Sequence, residues 1–317
     1  MNTYTANGKL LLTGEYLVLH GATALALPTK LGQSMSVEMA SDSRHCKGGS
    51  TEAIRWSAYK PDGPWFSALF NYQLSTINYQ LSTLTSTDPS KASKLSQILQ
   101  AVQELTPSAL QPGLCFETHL EFNTEWGLGS SSTLLSLLAQ WAEVNPYDLL
   151  RMTIGGSGYD IACATADTPI FYQLIDNEPQ VSPAAFNPPF ADRLFFVYQG
   201  KKQHSSAEVK AFNDQWRQKE LLAEMQTVSE LSLALPTITY FEDFCTLLQV
   251  HENILSQCLG REPVQRQYPD FNGTLKSLGA WGGDFLLAAT EWPYEDVCHY
   301  FQNKGLSTIF KYQDLIL

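Results

Sequence analysis

The chain has 317 residues, of which 44% are hydrophobic and 16% are charged, and its formal net charge is -12 at pH 7. This composition is typical of a folded globular protein and argues against disorder, while the length favours two domains of roughly 150 residues each. Because the summed negative field repels polyanions, the charge argues against nonspecific binding to nucleic acid or to an anionic membrane.

The cysteines and the hydropathy pattern bear on the compartment. The six cysteines are scattered, with no C-x-x-C pair and no companion histidines at metal-ligand spacing, so reduced thiols are expected. No stretch approaches the ~18 consecutive apolar residues that indicate a membrane span. We therefore expect a soluble cytoplasmic protein, a monomer or homodimer, whose partner is a small-molecule substrate rather than nucleic acid or a membrane.

The first elements of the chain are predicted to be extended. Residues 9–21, KLLLTGEYLVLHG, have the pattern of a strand, a tight turn and a second strand, and residues 23–39 continue in extended segments. Residues 42–88 are polar and irregular, and within them NYQLST at 71–76 recurs at 78–83. Two copies are too few for a repeat architecture, so this region is interpreted as a local insertion.

The middle of the chain contains a turn suited to an anion. A helix with one apolar face is predicted at residues 90–104, and a strand, GLCFETHLEF, leads into EWGLGSSST at residues 125–133, just before the apolar helix pattern LLSLLAQWA. Glycines permit left-handed backbone angles, and a helix N-terminus presents unpaired N–H groups and partial positive charge. Phosphate is the natural occupant. A well-capped helix after a glycine turn is the alternative for this segment alone.

A second glycine and serine turn lies in GGSGYDIACA, residues 155–164. It precedes a small-residue helix predicted at 159–166 and a strand at 169–174. The proline-rich residues 178–192 are predicted to connect two domains, 1–178 and 179–317.

The second half is predicted to mix strands and helices. It comprises the strand RLFFVYQ, the polar turn GKKQHSS at 200–206, helices at 207–235 and 240–259, a glycine-rich turn before a strand in SLGAWGGDFLLAA at 277–289, a helix in VCHYFQNKG and the edge strand LSTIFKY. Two mixed clusters of strands and helices favour an α+β protein.

The glycine-rich turns do not match the commonest nucleotide or hydrolase motifs. GLGSSST lacks the lysine of a Walker loop and the third glycine of a dinucleotide fingerprint. The G-x-S-x-G elbow of serine hydrolases is also absent from the sequence.

Three motifs in order resemble the GHMP kinase superfamily, named for galacto-, homoserine, mevalonate and phosphomevalonate kinases. GKLLLTGEYLVLHGATALALP at residues 8–28 is similar to the N-terminal signature of that family, GLGSSST to its phosphate loop, and SLGAWGGD at 277–284 to its C-terminal glycine loop. The resemblance implies a two-domain α+β fold, with an N-terminal domain like domain 2 of ribosomal protein S5 and a ferredoxin-like C-terminal domain. We call these segments the first, second and third motifs.

The resemblance also implies catalytic roles. Asp160 stands in the S-G-x-D context of the family's catalytic aspartate, within the string G-Y-D-I-A of a bacterial GHMP group, and Lys9 matches the lysine near that aspartate in mevalonate-type kinases. Asp160 would accept or orient the proton of the acceptor hydroxyl, and Lys9 would lower the pKa of that hydroxyl and stabilise the transferring group. Without the resemblance, Asp160 reads as a helix N-cap and Lys9 as a solvated lysine.

The nucleotide would be ATP, held with Mg²⁺. Its phosphates would contact the backbone amides of the second motif, which is formed by Gly127, Leu128, Gly129, Ser130, Ser131 and Ser132. Ser131 would also bind Mg²⁺, which prefers oxygen ligands and retains waters. Mevalonate kinases normally add a glutamate before the S-G-x-D turn, but between Glu143 and Asp160 the only acid is Asp148.

Several residues are candidates for the acceptor. By resemblance and by charge, the substrate-binding set is Glu15, Lys201, Lys202, His204, Gly279, Gly282 and Gly283. A structural ion pair is the preferred alternative for Glu15, with Lys9 as its candidate partner, and a solvated basic turn is the alternative for GKKQHSS. Trp281 replaces the usual middle glycine of the third motif, and it either narrows that loop or packs in the core.

The predicted function is an ATP-dependent kinase of the mevalonate pathway of isoprenoid biosynthesis, with phosphomevalonate or mevalonate as the acceptor. S-G-Y-D together with Gly-Gly-Asp in the third motif is closest to phosphomevalonate kinases. Diphosphomevalonate decarboxylase, which shares the first two motifs, stays open. So does a nonenzymatic sensor that binds ATP and a metabolite without turnover.

Overall fold

The computed structural model describes residues 2–40, 53–74, 79–201, 205–216, 220–279, 281 and 284–317. Within these ranges the chain forms two compact units. The first comprises Met1–Gly8, Leu31–Asn123 and Gly129–Thr165, and the second comprises Lys9–Lys30, Thr124–Leu128 and Ala166–Leu317. The units are discontinuous along the chain, whereas the sequence predicted one boundary after residue 178, which stays a prediction.

The strands of the amino-terminal half are β1 (Asn2–Thr13), β2 (Ala24–Met39), β3 (Ala53–Lys60), β4 (Gly63–Leu74), β5 (Tyr79–Ser86) and β6 (Leu114–Leu120). Strands β1 and β2 pair with each other. In the first unit the strand order is β5-β4-β3-β6-β2, in which only β3 and β6 run parallel.

The helices of the first unit are α1 (Pro89–Leu105), α2 (Ser130–Ala142), α3 (Pro146–Met152) and α4 (Tyr159–Ala164). Helix α1 begins as the sequence predicts, because Asp88 accepts a hydrogen bond from the Lys91 amide and Pro89 follows as the first helical residue. Helices α1 to α3 and the strands bury one core, in which the rings of Trp56 and Phe116 stack 5.0 Å apart.

The second unit begins with part of β1 and β2 and adds β7 (Ile170–Ile175), β8 (Glu178–Pro183), β9 (Leu194–Tyr198), α5 (Ser205–Gln215), α6 (Leu222–Ala234), α7 (Phe241–Leu259), β10 (Thr274–Ser277), β11 (Phe285–Ala289), α8 (Tyr294–Gln302), β12 (Ile309–Lys311) and α9 (Tyr312–Leu315). One antiparallel array is β2-β7-β8 and another is β10-β11-β9-β12. The second order is that of a split βαβ, ferredoxin-like sheet, as the sequence resemblance implied.

Several predictions of local structure were wrong. The second strand of residues 9–21 is instead a 3-10 helix, Leu17–His20, closed by Gly21 in the left-handed region. The described part of residues 42–88 forms β3 to β5, and the two NYQLST copies meet as neighbouring strands, with Tyr72 opposite Leu81. Both side chains are buried, so these two strands belong to the core and are not a separable insertion.

Three further differences concern the second half and the cysteines. The long helix predicted at residues 207–235 is two helices, α5 and α6, and the proline-rich connection contains β8. Cys115 forms a disulfide bond, so the prediction of reduced thiols is wrong there, whereas Cys163, Cys245, Cys258 and Cys298 are free. Across the described ranges, every helix is too short or too polar to span a membrane.

Candidate functional site

The second motif reaches helix α2 through a left-handed glycine. Gly129 is the N-cap of α2, with φ 93° and ψ 38°, and no side chain caps the helix. The first intrahelical bond runs from the Thr133 amide to the Gly129 carbonyl, at 2.9 Å. The amides of Ser130, Ser131 and Ser132 therefore precede the helical ladder and point out of its N-terminus. The helix follows a glycine turn, and no side chain occupies the free amides at its N-terminus.

The hydroxyl groups at this end have different surroundings. Ser132 is 1% exposed and donates a hydrogen bond to the Gly129 carbonyl at 2.8 Å. Thr133 is equally buried and donates to Gln33 at 2.7 Å. Ser131 is exposed. The hydroxyls of Ser132 and Thr133 thus hold the turn in shape, whereas Ser130 is partly exposed and Ser131 is exposed.

Asp160 lies on a short helix beside the second motif's helix. Helix α4 packs against α2, and its N-cap is Gly158 in the left-handed region, with φ 86°. Asp160 is the second residue of α4 and accepts a hydrogen bond from the Ile161 amide at 3.0 Å. The alternative that Asp160 is the N-cap is therefore wrong, because glycine occupies that position. The carboxylate is partly exposed.

Tyr147 on α3 was not predicted from the sequence. Burial, with the negative charge of Asp160 acting in the same direction, raises the pKa of Tyr147 to about 12. The phenol therefore stays neutral and can donate a hydrogen bond near the carboxylate. A tyrosine in an apolar helix gives no signal of this role, because its nearness to Asp160 arises from the packing of α3.

Within the second unit, residues of the first, second and third motifs contact one another. The Lys9 amide on β1 donates a hydrogen bond to the Leu128 carbonyl at 3.0 Å, which joins the first motif to the second. Gly127 has φ +68°, and a Cβ there would lie 2.5 Å from the Asp284 carboxyl carbon. Only glycine accommodates Asp284 at this position, so the third motif also reaches the second.

Asp284 also joins the segment that contains Lys201. Its amide donates to the Lys201 carbonyl at 2.7 Å, and its carbonyl accepts from the Gln199 amide at 2.8 Å. A Cβ on Gly279 would lie 3.5 Å from the Asp284 carboxylate. Lys201 is exposed, whereas Asp284 is 6% exposed. The predicted residues Lys202, His204, Gly282 and Gly283 lie outside the described residues.

Glu15 is almost completely buried. It is 1% exposed, and its Oε1 accepts a hydrogen bond from the Lys276 ammonium at 2.5 Å. Burial raises the pKa of Glu15 to about 7, although the charge of Lys276 and its hydrogen bond work in the opposite direction. The preferred structural ion pair is thus present, but its partner is Lys276 on β10 and not the candidate Lys9.

Trp281 has the core-packing role that the sequence left open. It is 2% exposed and packs with Tyr16, Leu17 and Phe212. Its carbonyl accepts a hydrogen bond from Arg261 at 2.7 Å. A cavity of about 390 Å³ lies beside it, lined by Gln199, Glu208, Arg261, Glu262, Val264, Gln267, Ser277 and Trp281.

Comparison with known proteins shows the fold of the chain. No protein-family model and no curated protein matches the chain. Solved structures match over nearly its whole length. The phosphomevalonate kinase of Streptococcus pneumoniae, in complex with phosphomevalonate and AMPPNP, is similar with a TM-score of 0.69 at 18% identity, covering 98% of this chain and 100% of that one. The chain has the GHMP kinase fold.

Other GHMP kinases show the same likeness. The mevalonate kinase of L. major, in complex with R-mevalonate, has a TM-score of 0.64 at 14% identity, with 98% of this chain and 95% of that one covered. A D-glycero-D-manno-heptose 1-phosphate kinase from Bacteroides thetaiotaomicron has a TM-score of 0.54 at 13% identity, with 99% and 95% covered. Since these relatives carry different acceptor names, the GHMP kinase fold alone leaves the acceptor open.

Proposed function

We propose that the chain is an ATP-dependent small-molecule kinase that transfers the γ-phosphoryl group to a mevalonate-pathway metabolite, phosphomevalonate or mevalonate. The observation that carries this proposal is the open N-terminus of α2, preceded by Gly127 and Gly129 in left-handed conformations. The GHMP kinase fold supports it, since the similar S. pneumoniae enzyme holds phosphomevalonate and AMPPNP.

The residues present fit a nucleotide phosphate. The amides of Ser130 to Ser132 precede the helical ladder, and the partial positive charge of a helix N-terminus favours an anion. The protein's net charge of -12 would otherwise repel ATP, so these local donors have to supply the attraction.

A magnesium ion would be held mainly by the nucleotide. Within the described residues no group of three or more His, Cys, Asp or Glu side chains is placed to hold a metal. One hydroxyl, that of Ser131, is compatible with Mg²⁺, which keeps several waters and usually binds phosphates together with few protein ligands. When bound, the ion supplies charge neutralisation on the transferring phosphoryl group.

Asp160 and Lys9 are the proposed catalytic residues. Asp160 would accept the proton of the acceptor hydroxyl or hold that hydroxyl in line with the phosphoryl group, and Tyr147 would donate a hydrogen bond near it. Lys9 would stabilise negative charge as the phosphoryl group moves. Its backbone bond to Leu128 fixes β1 against the second motif.

The acceptor would bind through basic and glycine-rich segments. Lys201, Lys202 and His204 would attract a phosphate or carboxylate, and Gly279, Gly282 and Gly283 would let the acceptor approach the backbone. The two lysines favour an acceptor that already carries negative charge. Cytoplasmic localisation and a monomeric or homodimeric state stay predictions.

The test is ADP release with Mg²⁺ and ATP on mevalonate, phosphomevalonate and diphosphomevalonate side by side, with carbon dioxide measured in parallel. The proposal predicts turnover of one of the first two acceptors without carbon dioxide. Carbon dioxide release from diphosphomevalonate would establish the decarboxylase instead. ATP binding without turnover of any of the three would overturn the proposal and favour the sensor.

A further inference from the structure

We propose that Glu15 and Lys276 are positioning residues of this kinase site, whose buried ion pair holds the turn after β1 against β10, the strand that leads into the third motif. The inference rests on the proposed function, and it assigns Glu15 a role different from contact with substrate. The pair belongs to a buried charge cluster formed by Glu15, His251, Glu252, Lys276 and Ser277.

The geometry of the pair joins two distant parts of the sequence. Lys276 and Glu15 are 261 positions apart, and their side chains are 0% and 1% exposed. The Lys276 ammonium donates to Glu15 Oε1 at 2.5 Å and to the Ser277 carbonyl at 2.8 Å. One cation thus contacts the turn after β1 and the last residue of β10.

His251 on α7 makes the second connection to the same turn. Its Nε2 accepts a hydrogen bond from the Gly14 amide at 3.0 Å. Since Nε2 is an acceptor there, the ring is neutral with its proton on Nδ1. Burial holds the pKa of His251 well below its ordinary value, and the charge of Lys276 acts in the same direction. His251 therefore holds the turn in position through its hydrogen bond and contributes no charge to the cluster.

Glu252 makes the matching connection to the start of the third motif. Its Oε1 accepts from the Ser277 hydroxyl at 2.9 Å and from the Val264 amide at 3.1 Å, and its Oε2 accepts from the Ser277 amide at 3.1 Å. Adjacent residues of α7 thus hold Gly14 and Ser277. The cluster fixes the spacing between the first and third motifs from both sides.

The free-energy cost of burying an ion pair indicates that the cluster does more than stabilise the fold. Buried ion pairs often contribute less than well-packed apolar residues of similar volume, because both charges lose their hydration. Here Glu15 Oε2 has no hydrogen-bond partner among the described residues, and His251 Nε2 lies 3.5 Å from it. The ion pair is costly and incompletely hydrogen-bonded, and it joins the first motif to the strand that leads into the third. We attribute its presence to the relative position that it imposes on these two segments.

The charges that face Glu15 come from two elements. Lys276 of β10 favours its ionised form, whereas Glu252 of α7 disfavours it and His251 of α7 is neutral. On its own side of the turn, Tyr16 also stays neutral, since burial raises the pKa of Tyr16 to about 12. Protonation of Glu15 would therefore remove the counter-charge that contacts Lys276 directly.

The experiment compares Glu15→Gln with Asp270→Asn, which alters an exposed carboxylate paired with Lys304. Hydrogen exchange of peptides covering residues 12–18 and 272–279 is measured together with kcat and KM. We expect Glu15→Gln to speed exchange in both peptides about tenfold or more and to lower kcat by 10- to 100-fold with KM nearly constant, because misplacement of reacting groups costs rate. Asp270→Asn should change neither.

The pH profile separates positioning from simple destabilisation. In the wild type, kcat should fall as the pH drops through about 7, the pKa of Glu15. At low pH it should approach the kcat that Glu15→Gln has at pH 8. The kcat of the variant should not show this fall. A variant that matches Asp270→Asn in exchange and in kcat would overturn the proposal.

Two further arms cover failure of folding and failure of the proposed function. If Glu15→Gln does not fold, hydrogen exchange is instead measured on the wild type at pH 6 and at pH 8. The measured rates are corrected for the intrinsic exchange rates at each pH. The proposal predicts weaker protection of residues 12–18 and 272–279 at pH 6, where protonated Glu15 releases Lys276, although protonation stabilises the fold as a whole. Equal or stronger protection of these residues at pH 6 than at pH 8 would overturn the proposal. If the wild type turns over no acceptor, the proposed function fails, and the exchange result still decides whether the ion pair holds the two segments.

Discussion

The N-terminus of α2 and the buried charge cluster achieve their geometry by opposite means. At α2, a left-handed glycine and two small hydroxyl side chains shape the turn. At the cluster, ionised groups with almost no solvent exposure join residues from three elements. The α2 N-terminus forms without the desolvation of charged side chains and is accessible to a ligand. The charge cluster forms at the cost of desolvating its charged groups and is buried. Ligand binding and positioning are thus assigned to different kinds of structure.

The largest effect should come from removing the cation of the cluster. Lys276→Met leaves Glu15 and Glu252 buried beside an apolar chain, so we expect a loss of about 3–5 kcal/mol in the free energy of unfolding. The double variant Glu15→Gln, Lys276→Met should recover a large part of this loss in urea denaturation. Equal stability of the single and double variants would show that the two charges are not coupled.

The pH dependence of stability should be dominated by the cluster as well. Because burial raises the pKa of Glu15 from 4.5 to about 7, protonation favours the folded state, and this contribution is lost as the pH rises through about 7. We expect the free energy of unfolding to fall by up to about 3 kcal/mol between pH 5 and pH 8. Glu15→Gln should flatten this slope, and Asp270→Asn should keep it.

Gly127 tests the contact between the second motif and Asp284. Gly127→Ala places a Cβ 2.5 Å from the Asp284 carboxyl carbon in a left-handed conformation, and we expect a loss of about 2–3 kcal/mol. Gly155→Ala is the matched control, because Gly155 has φ +64° with open space around it. It should cost only the backbone strain of about 1 kcal/mol. Equal losses in thermal melts would rule out a close Asp284 contact.

The smallest effects should come from the serines of α2. Ser132→Ala removes a buried hydrogen bond to Gly129 and should cost about 1 kcal/mol. Ser131→Ala should leave stability within about 0.5 kcal/mol, since Ser131 is exposed, yet raise the magnesium concentration needed for half-maximal ADP release. A loss of stability in Ser131→Ala, together with a raised magnesium requirement in Ser132→Ala, would exchange the roles assigned to the two hydroxyls.

The two regions also differ in how far the sequence predicts them. The α2 N-terminus was predictable because its signal is local: two glycines and three serines stand directly before an apolar helix pattern. Asp160 was placed correctly on a helix, but the N-cap proved to be Gly158. These features depend on residues within a few positions of one another.

The buried cluster was not predictable in the same way. A lysine in a strand reads as a surface charge, and the burial of Lys276 depends on Glu15, 261 positions away. Strands β3 to β5 were missed because their polar residues hide an alternation that only pairing reveals, as between Tyr72 and Leu81. The 3-10 helix at Leu17–His20 replaced a predicted strand because Leu17 and Val18 are buried by tertiary packing.

The most direct test of the proposed kinase is ADP release by Asp160→Asn and Asp167→Asn on whichever acceptor the wild type turns over. Asp167 is an exposed aspartate just beyond α4 and serves as the matched control. The account predicts that Asp160→Asn lowers kcat by about 100-fold or more, while both variants still bind ATP and Asp167→Asn keeps wild-type kcat. Equal kcat in the two variants would contradict the assignment of Asp160 and, with it, the proposed mechanism.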